Sequence, residues 1–295
     1  MRVLLAILAG AALLAVAGAC TGGGGGGRTP TSDQPDLARR ALEAMDNLTS
    51  FHTDMDFRPA EIGPLLVEFA RPYSFRVQGK FSEQSGGGEP VERVIESLFI
   101  GARSYHRECD KAEVGCAEWQ EGQLDPALPA GPSPLYLPQW PFAALGVAEG
   151  LKTAGREELN GEPMIKLTGT VNHIRAVLEN QRRLYSVAGI KTFGELCGED
   201  AEPVGPGTPP SGEQTCHQMT FEEAQEQQEP ALSFYDDHPA AIDVWVSAED
   251  SLVHRVEITV PPFDDPSQGG DPSSVETAVI ADYSMFNQVT IKAPL

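Results

Sequence analysis

From residue 51 onward, apolar side chains recur at every second position in one short segment after another, and this period-two pattern restricts the chain to a sheet-rich fold. Phe51, Met55 and Phe57 alternate with His52, Asp54 and Asp56, as expected of a strand with one buried and one solvated face. Further strands are expected at residues 65–70 and 73–81, with Pro72 between them, and at 91–100 and 102–107, turning near Gly101. Asn160-Gly161, set between residues 156–159 and 164–170, is the preferred dipeptide of a type I′ hairpin. Three strands are expected to close the chain, at 241–247, 252–260 and 275–286, with a terminal one at 289–293 beside them. Ile242, Val244 and Val246 alternate, as do Leu252, His254, Val256 and Ile258, so His254 is expected to point inward.

Helical spacing appears in few places. Leu37, Ala41, Met45 and Leu48 fall on one face of a helix over 36–48. Ile174, Val177 and Leu178 lie on or near one face of a second helix over 172–185, and a short helical segment is expected at 142–151. Residues 187–239 have the character of an insertion bounded by cysteines, with a capping box from Thr220 to Glu223 opening a short acidic helix. This order predicts an α+β domain over 35–295, one long antiparallel sheet with a few helices on one face.

The N-terminus sets the compartment. Residues 3–16 are almost unbroken Leu, Ala, Val and Ile, followed by Ala17-Gly18-Ala19 and then Cys20, the layout of a secretory signal over 1–19. The apolar run is shorter than the roughly 20 residues needed to span a bilayer. Six glycines, 22–27, then begin a polar stretch to Gln34, read as a flexible tether over 20–34. They formally satisfy GxGxxG, but no strand precedes them, so a dinucleotide loop has no support. Setting Cys20 aside leaves four cysteines, Cys109, Cys116, Cys197 and Cys216, an even number in an exported chain. Three connectivities are open, of which the local pairs Cys109–Cys116 and Cys197–Cys216 are the economical one.

The 295 residues carry 21 Lys+Arg against 43 Asp+Glu, a formal charge of −22. Nucleic-acid binding needs a basic surface and is excluded as a partner class, as is direct docking on anionic headgroups. No cofactor is implied, and no catalytic residue emerges. GxSxG, SxxK, HExxH, Walker and EF-hand patterns are all absent, and paired carboxylates such as Asp54/Asp56 carry little information in so acidic a chain. Trp119, Trp140 and Trp245 are expected in core or rim packing before any pocket.

Taken together, the cysteine at position 20 with its tether, the helix leading into residues 48–52, the paired-strand segment 99–105 with Trp119 after it, the 158–170 hairpin followed by a helix, and the 242–247 and 253–258 pair ending in 283–294 resemble the LppX/LprG-type bacterial lipoproteins, whose fold is similar to LolA and LolB. In that resemblance Cys20 is the lipobox cysteine, with Ala17 where leucine is more usual. The resemblance implies a strongly curved, open antiparallel half-barrel with helices packed on its concave face, over an apolar cavity for acyl chains. It also implies a lipidated Cys20 on the outer face of the cell membrane, and an acyl lipid or lipidated ligand bound without covalent chemistry. The expected cavity lining is Phe51, Met55, Phe57, Phe75 and Val77 from strands, with Ile174, Val177 and Leu178 from the helix; ordinary core packing is the competing expectation. The same fold with a filled core, binding an envelope protein partner, and a surface enzyme with a site assembled from scattered residues are the other two readings.

Overall fold

A computed structural model describes residues 34–58, 64–83, 91–101, 103–111, 114–122, 138–188, 195–198, 215–218, 220–262 and 277–294. Cys20, the leader, the tether up to residue 33 and the Pro-rich stretch 123–137 lie outside the described residues.

Helix α1 (Gln34–Asn47) opens the fold and buries the stripe Leu37, Ala41 and Met45, with Leu48 just beyond it. A meander follows: β1 (Ser50–Arg58), β2 (Leu65–Ala70), β3 (Ser74–Glu83), β4 (Val91–Ile100), β5 (Arg103–Lys111), β6 (Val114–Cys116) and β7 (Gln120–Glu121). The chain then passes through the short helix α2 (Trp140–Ala143) and a 3-10 turn, Ala144–Gly146, to the hairpin β8 (Glu149–Leu159) and β9 (Glu162–Val171). The 142–151 segment is therefore helical only at its start, because β8 begins at Glu149. Asn160 and Gly161 have φ of 54° and 86°, the left-handed pair that a type I′ turn requires.

Helix α3 (His173–Ala188) precedes a small hairpin, β10 (Glu195–Gly198) with β11 (Thr215–Gln218), and two short helices, α4 (Phe221–Gln227) and α5 (Glu229–Asp237). Both halves of the expected capping box at Thr220 and Glu223 are present. Strands β12 (Ala240–Ser247), β13 (Val253–Val260) and β14 (Thr277–Ser284) return to pair with β1.

The large sheet has 12 strands in the order β6-β5-β4-β3-β2-β1-β14-β13-β12-β9-β8, with β7 beside β5, and it is antiparallel and open. Register makes its two faces explicit. One row across the strands reads Leu167, Val244, Val256, Ala281, Met55, Leu65, every member buried. One residue along, the next row reads Lys166, Trp245, Arg255, Asp282, Asp54, Leu66, Gln78, Glu96, Arg107. A slip of one residue would exchange the two rows, so burial of the first fixes the register of the whole sheet. The apolar row shares one core with residues of α1, α2, α3 and α5.

Three particulars depart from the alternation read in the sequence. A bulge at Trp245/Val246 sets Val246 opposite Val253 and Trp245 opposite Arg255, leaving His254 as the extra residue. Val253 is therefore fully buried, while His254 is half-buried, edge-on to Phe286 at 5.2 Å, instead of pointing into the core. Residues 289–294 form no strand; they cross the polar face of the sheet, tied to β1 by Val289 N–H donating to Ser50 Oγ at 2.9 Å. At the far edge, β8 pairs with β9 through two register irregularities, Glu149/Lys152 and Thr153/Gly155. Gly169 faces the first of these, where a Cβ would lie 2.7 Å from the Glu149 carbonyl oxygen.

Candidate functional site

The interior beneath the helices is the first candidate. Phe51, Met55, Phe57, Phe75 and Val77 all stand on the buried face of β1 and β3 and join one cluster with Val177 of α3; Ile174 packs against that cluster half-buried. Leu178 is buried on α3 without belonging to the cluster. Phe51, 1% exposed, touches Phe69 (centroids 5.2 Å), Phe142 (6.0 Å) and Tyr283 (5.7 Å). Trp140 is buried in the same core.

Polar groups the sequence reading passed over sit among these apolar ones. Gln139 precedes α2; His173 and Asn180 lie on α3, in the same stripe as Val177, and all three are buried. Both amide atoms of Gln139, both of Asn180 and Nδ1 of His173 have no hydrogen-bond partner among the described residues. A buried unpaired donor or acceptor costs about 1–3 kcal/mol, and native interiors leave few of them. The signal was legible in principle, since positions 173, 177 and 180 repeat with helical spacing and two of the three are polar.

Burial depresses the His173 imidazole to about 4. Its neutral form belongs to the folded state, so the unfolded chain binds the extra proton and stability falls with acid. The loss begins as pH drops below the ordinary histidine value of 6.5 and is complete near the folded value of about 4. It should total about 3 kcal/mol. Urea midpoints measured across that range should fall more steeply for the wild type than for His173→Phe; parallel curves would show that His173 contributes nothing to acid sensitivity.

The start of α3 is clamped to α5. Asn172 Oδ1 accepts from Arg175 N–H at 3.2 Å, while its Nδ2 donates to the Leu232 carbonyl at 2.9 Å and to Asp236 Oδ1 at 2.8 Å. Arg175 Nη2 adds contacts to both Asp236 oxygens at 2.9 and 2.8 Å. Asn172→Ala removes a cap and the buried tie to Leu232 and Asp236, so a loss of about 2 kcal/mol is expected in urea denaturation.

On the opposite face of the sheet lies a second, unforeseen assembly. Glu96 of β4 is 0% exposed, and its register partners are Gln78 on β3 and Arg107 on β5. Oε1 accepts from Gln78 Nε2 at 2.8 Å and Arg76 Nη2 at 3.2 Å; Oε2 meets Arg107 Nε at 2.7 Å and Nη2 at 2.6 Å. Arg107 in turn lies 4.5 Å over the Trp119 ring. Glu68, Arg76, Leu98, Arg107 and Trp119, with Thr290, Ile291, Lys292 and Pro294 of the crossing segment, line an open pocket of about 180 Å³. Trp119 is thus a pocket wall, whereas Trp245 is packed on the polar face under Lys166, with Nε1 donating to Glu157 at 2.8 Å.

Cys109 and Cys116 are joined by a disulfide between the register partners of β5 and β6. They fall with Glu96 into a group that could ligate a metal by proximity, but a disulfide offers no thiolate. Cys197 and Cys216 are direct register partners across β10 and β11. No helix among the described residues is long and apolar enough to cross a membrane.

No protein-family model matches the chain, and no curated protein sequence matches it. Solved structures similar to it include lipoprotein LppX of Mycobacterium tuberculosis, at 12% identity and TM-score 0.43 over 87% of this chain and 96% of that one. LprF of Mycobacterium bovis is similar at 13% identity and TM-score 0.47, over 90% and 99%. A DUF1329 family protein of Desulfovibrio piger is similar at 11% identity and TM-score 0.26, over 88% and 93%.

Proposed function

We propose that the chain is a non-enzymatic lipoprotein of the cell envelope that binds or carries an acyl lipid or lipidated molecule between its sheet and its helices. In this reading the sheet curves into an open half-barrel with α1, α2 and α3 on its concave side, and the lipid chains run along the apolar row of strand residues. The supporting observation is the set of buried polar atoms of Gln139, His173 and Asn180 on the helical layer that find no hydrogen-bond partner among the described residues. A ligand with ester or hydroxyl groups at one end and methylenes at the other meets both kinds of surface. Each methylene buried contributes about 0.8 kcal/mol, so few polar contacts are needed.

Organic extraction and native mass spectrometry of the purified full chain should reveal a co-purifying acyl lipid. Replacing Gln139 and Asn180 together by leucine should keep the fold and cut uptake of a fluorescent fatty acid at least tenfold. A folded protein without extracted lipid and without uptake would sink this reading. It would favour a filled core that binds an envelope protein, a reading supported by the close aromatic packing around Phe51.

Membrane attachment in this proposal runs through a lipidated Cys20 at the end of the 20–34 tether, after removal of residues 1–19. Cys197 and Cys216 form a second disulfide within the 187–239 segment, consistent with their backbone register. Metabolic labelling with an alkyne fatty acid should mark the wild type and leave Cys20→Ser unlabelled; equal labelling of both would place the anchor elsewhere.

A further inference from the structure

We propose that the pocket on the polar face, between Trp119 and the 290–294 segment, is a binding site for a small soluble organic anion, a carboxylate or phosphate monoester on a short apolar body. This site is separate from the interior assigned to lipid and does not depend on that assignment.

Charge is the first argument. The whole chain carries −22, yet this pocket is walled by Arg76, Arg107 and Lys292 against the single carboxylate of Glu68. Glu96 behind the wall brings the local sum to one positive charge, and Lys292 has no ion-pair partner among the described residues. Glu96 also fixes the cations in place. Arg107 is held by two nitrogens on Oε2 and by the ring of Trp119, so its guanidinium loses little further freedom on meeting a ligand.

Shape is the second argument. Of the remaining walls, Trp119, Leu98, Ile291 and Pro294 are apolar and Thr290 adds one hydroxyl, and about 180 Å³ is the liquid volume of roughly six waters. That suits a body the size of a benzene ring beside the charged group. Long-range repulsion from the acidic surface acts over a Debye length of about 8 Å at physiological salt, so the contact cations decide binding once the anion has arrived.

Isothermal titration of the full chain with benzoate, phenyl phosphate, inorganic phosphate and benzyl alcohol tests the site. Benzoate and phenyl phosphate should bind saturably, and neutral benzyl alcohol at least tenfold more weakly. Lys292→Glu, at an exposed position, should weaken both organic anions at least tenfold. Trp119→Ala should weaken them by a similar factor while changing inorganic phosphate less than threefold. Absence of saturable heat with either organic anion, binding of the neutral alcohol as tight as benzoate, or indifference to Lys292→Glu would each overturn the proposal. So would capture of phosphatidic acid vesicles by a chain that ignores the soluble anions, since that would make the pocket a headgroup site.

Discussion

Truncation of Phe51 to alanine should lower the unfolding free energy by about 4 kcal/mol, among the largest single-residue losses expected of an apolar side chain in this fold. Phe51 is almost wholly buried and meets three aromatic rings edge-on or tilted, one from β2, one from α2 and one from β14. Its removal therefore opens a hole between elements that cannot slide together, because the ladders β1–β2 and β1–β14 hold the strands at fixed spacing. Cavity cost rises when surroundings cannot collapse. Urea denaturation gives the number directly. A loss below about 1 kcal/mol would mean that the ring faces open space and was never packed, which would move Phe51 from core residue to cavity wall.

Arg107→Ala is the second large effect, with an expected loss of about 3 kcal/mol. The change leaves Glu96 fully enclosed with only Gln78 and Arg76 to meet its charge. Most of the cost is thus the stranded carboxylate, so removing the charge as well should recover much of it. The double replacement Glu96→Leu with Arg107→Leu is expected to come within about 1 kcal/mol of the wild type, as buried ion pairs exchanged for packed apolar groups commonly do. If the single and double variants lose equal amounts, the carboxylate is not enclosed as described. Salt supplies an independent check: an enclosed pair is screened far less than the exposed Arg39–Glu43 pair at 2.7 Å on α1.

The buried face of this protein was legible in its sequence, and the other face was not. Leu37, Ala41, Met45 and Leu48 announced α1 by spacing alone, and Met55, Val244 and Val256 announced the buried row by alternation, because apolar periodicity reports directly on burial. Glu96 gave no such signal. In isolation it reads as an ordinary solvated residue on a strand, and only the register that sets Gln78 and Arg107 beside it shows otherwise. The 290–294 segment covers that face without any regular structure, although its residues read as the end of a strand at 289–293. His254 escapes the alternation for a third reason: it is the extra residue of the β12–β13 bulge, which shifts phase by a single residue. Of the interior residues named from sequence, the inward orientation of the strand set followed from alternation. The polar members Gln139, His173 and Asn180 belong to no motif, and only their burial among apolar neighbours marks them.

The irregular pairing of β8 with β9 bears on how these molecules behave toward one another. An open sheet of 12 strands must end somewhere, and β8, at 11 residues, leaves the long outer edge. A straight edge of that length is a template on which a neighbour's strand can be laid. Two register breaks bend this one, and Lys152, Arg156, Glu157 and Glu158 are all exposed along it. At the other end β6 is only 3 residues long and closed off by the disulfide to β5. Crowded side by side on a surface, such molecules could touch edge to edge without zipping into a continuous sheet.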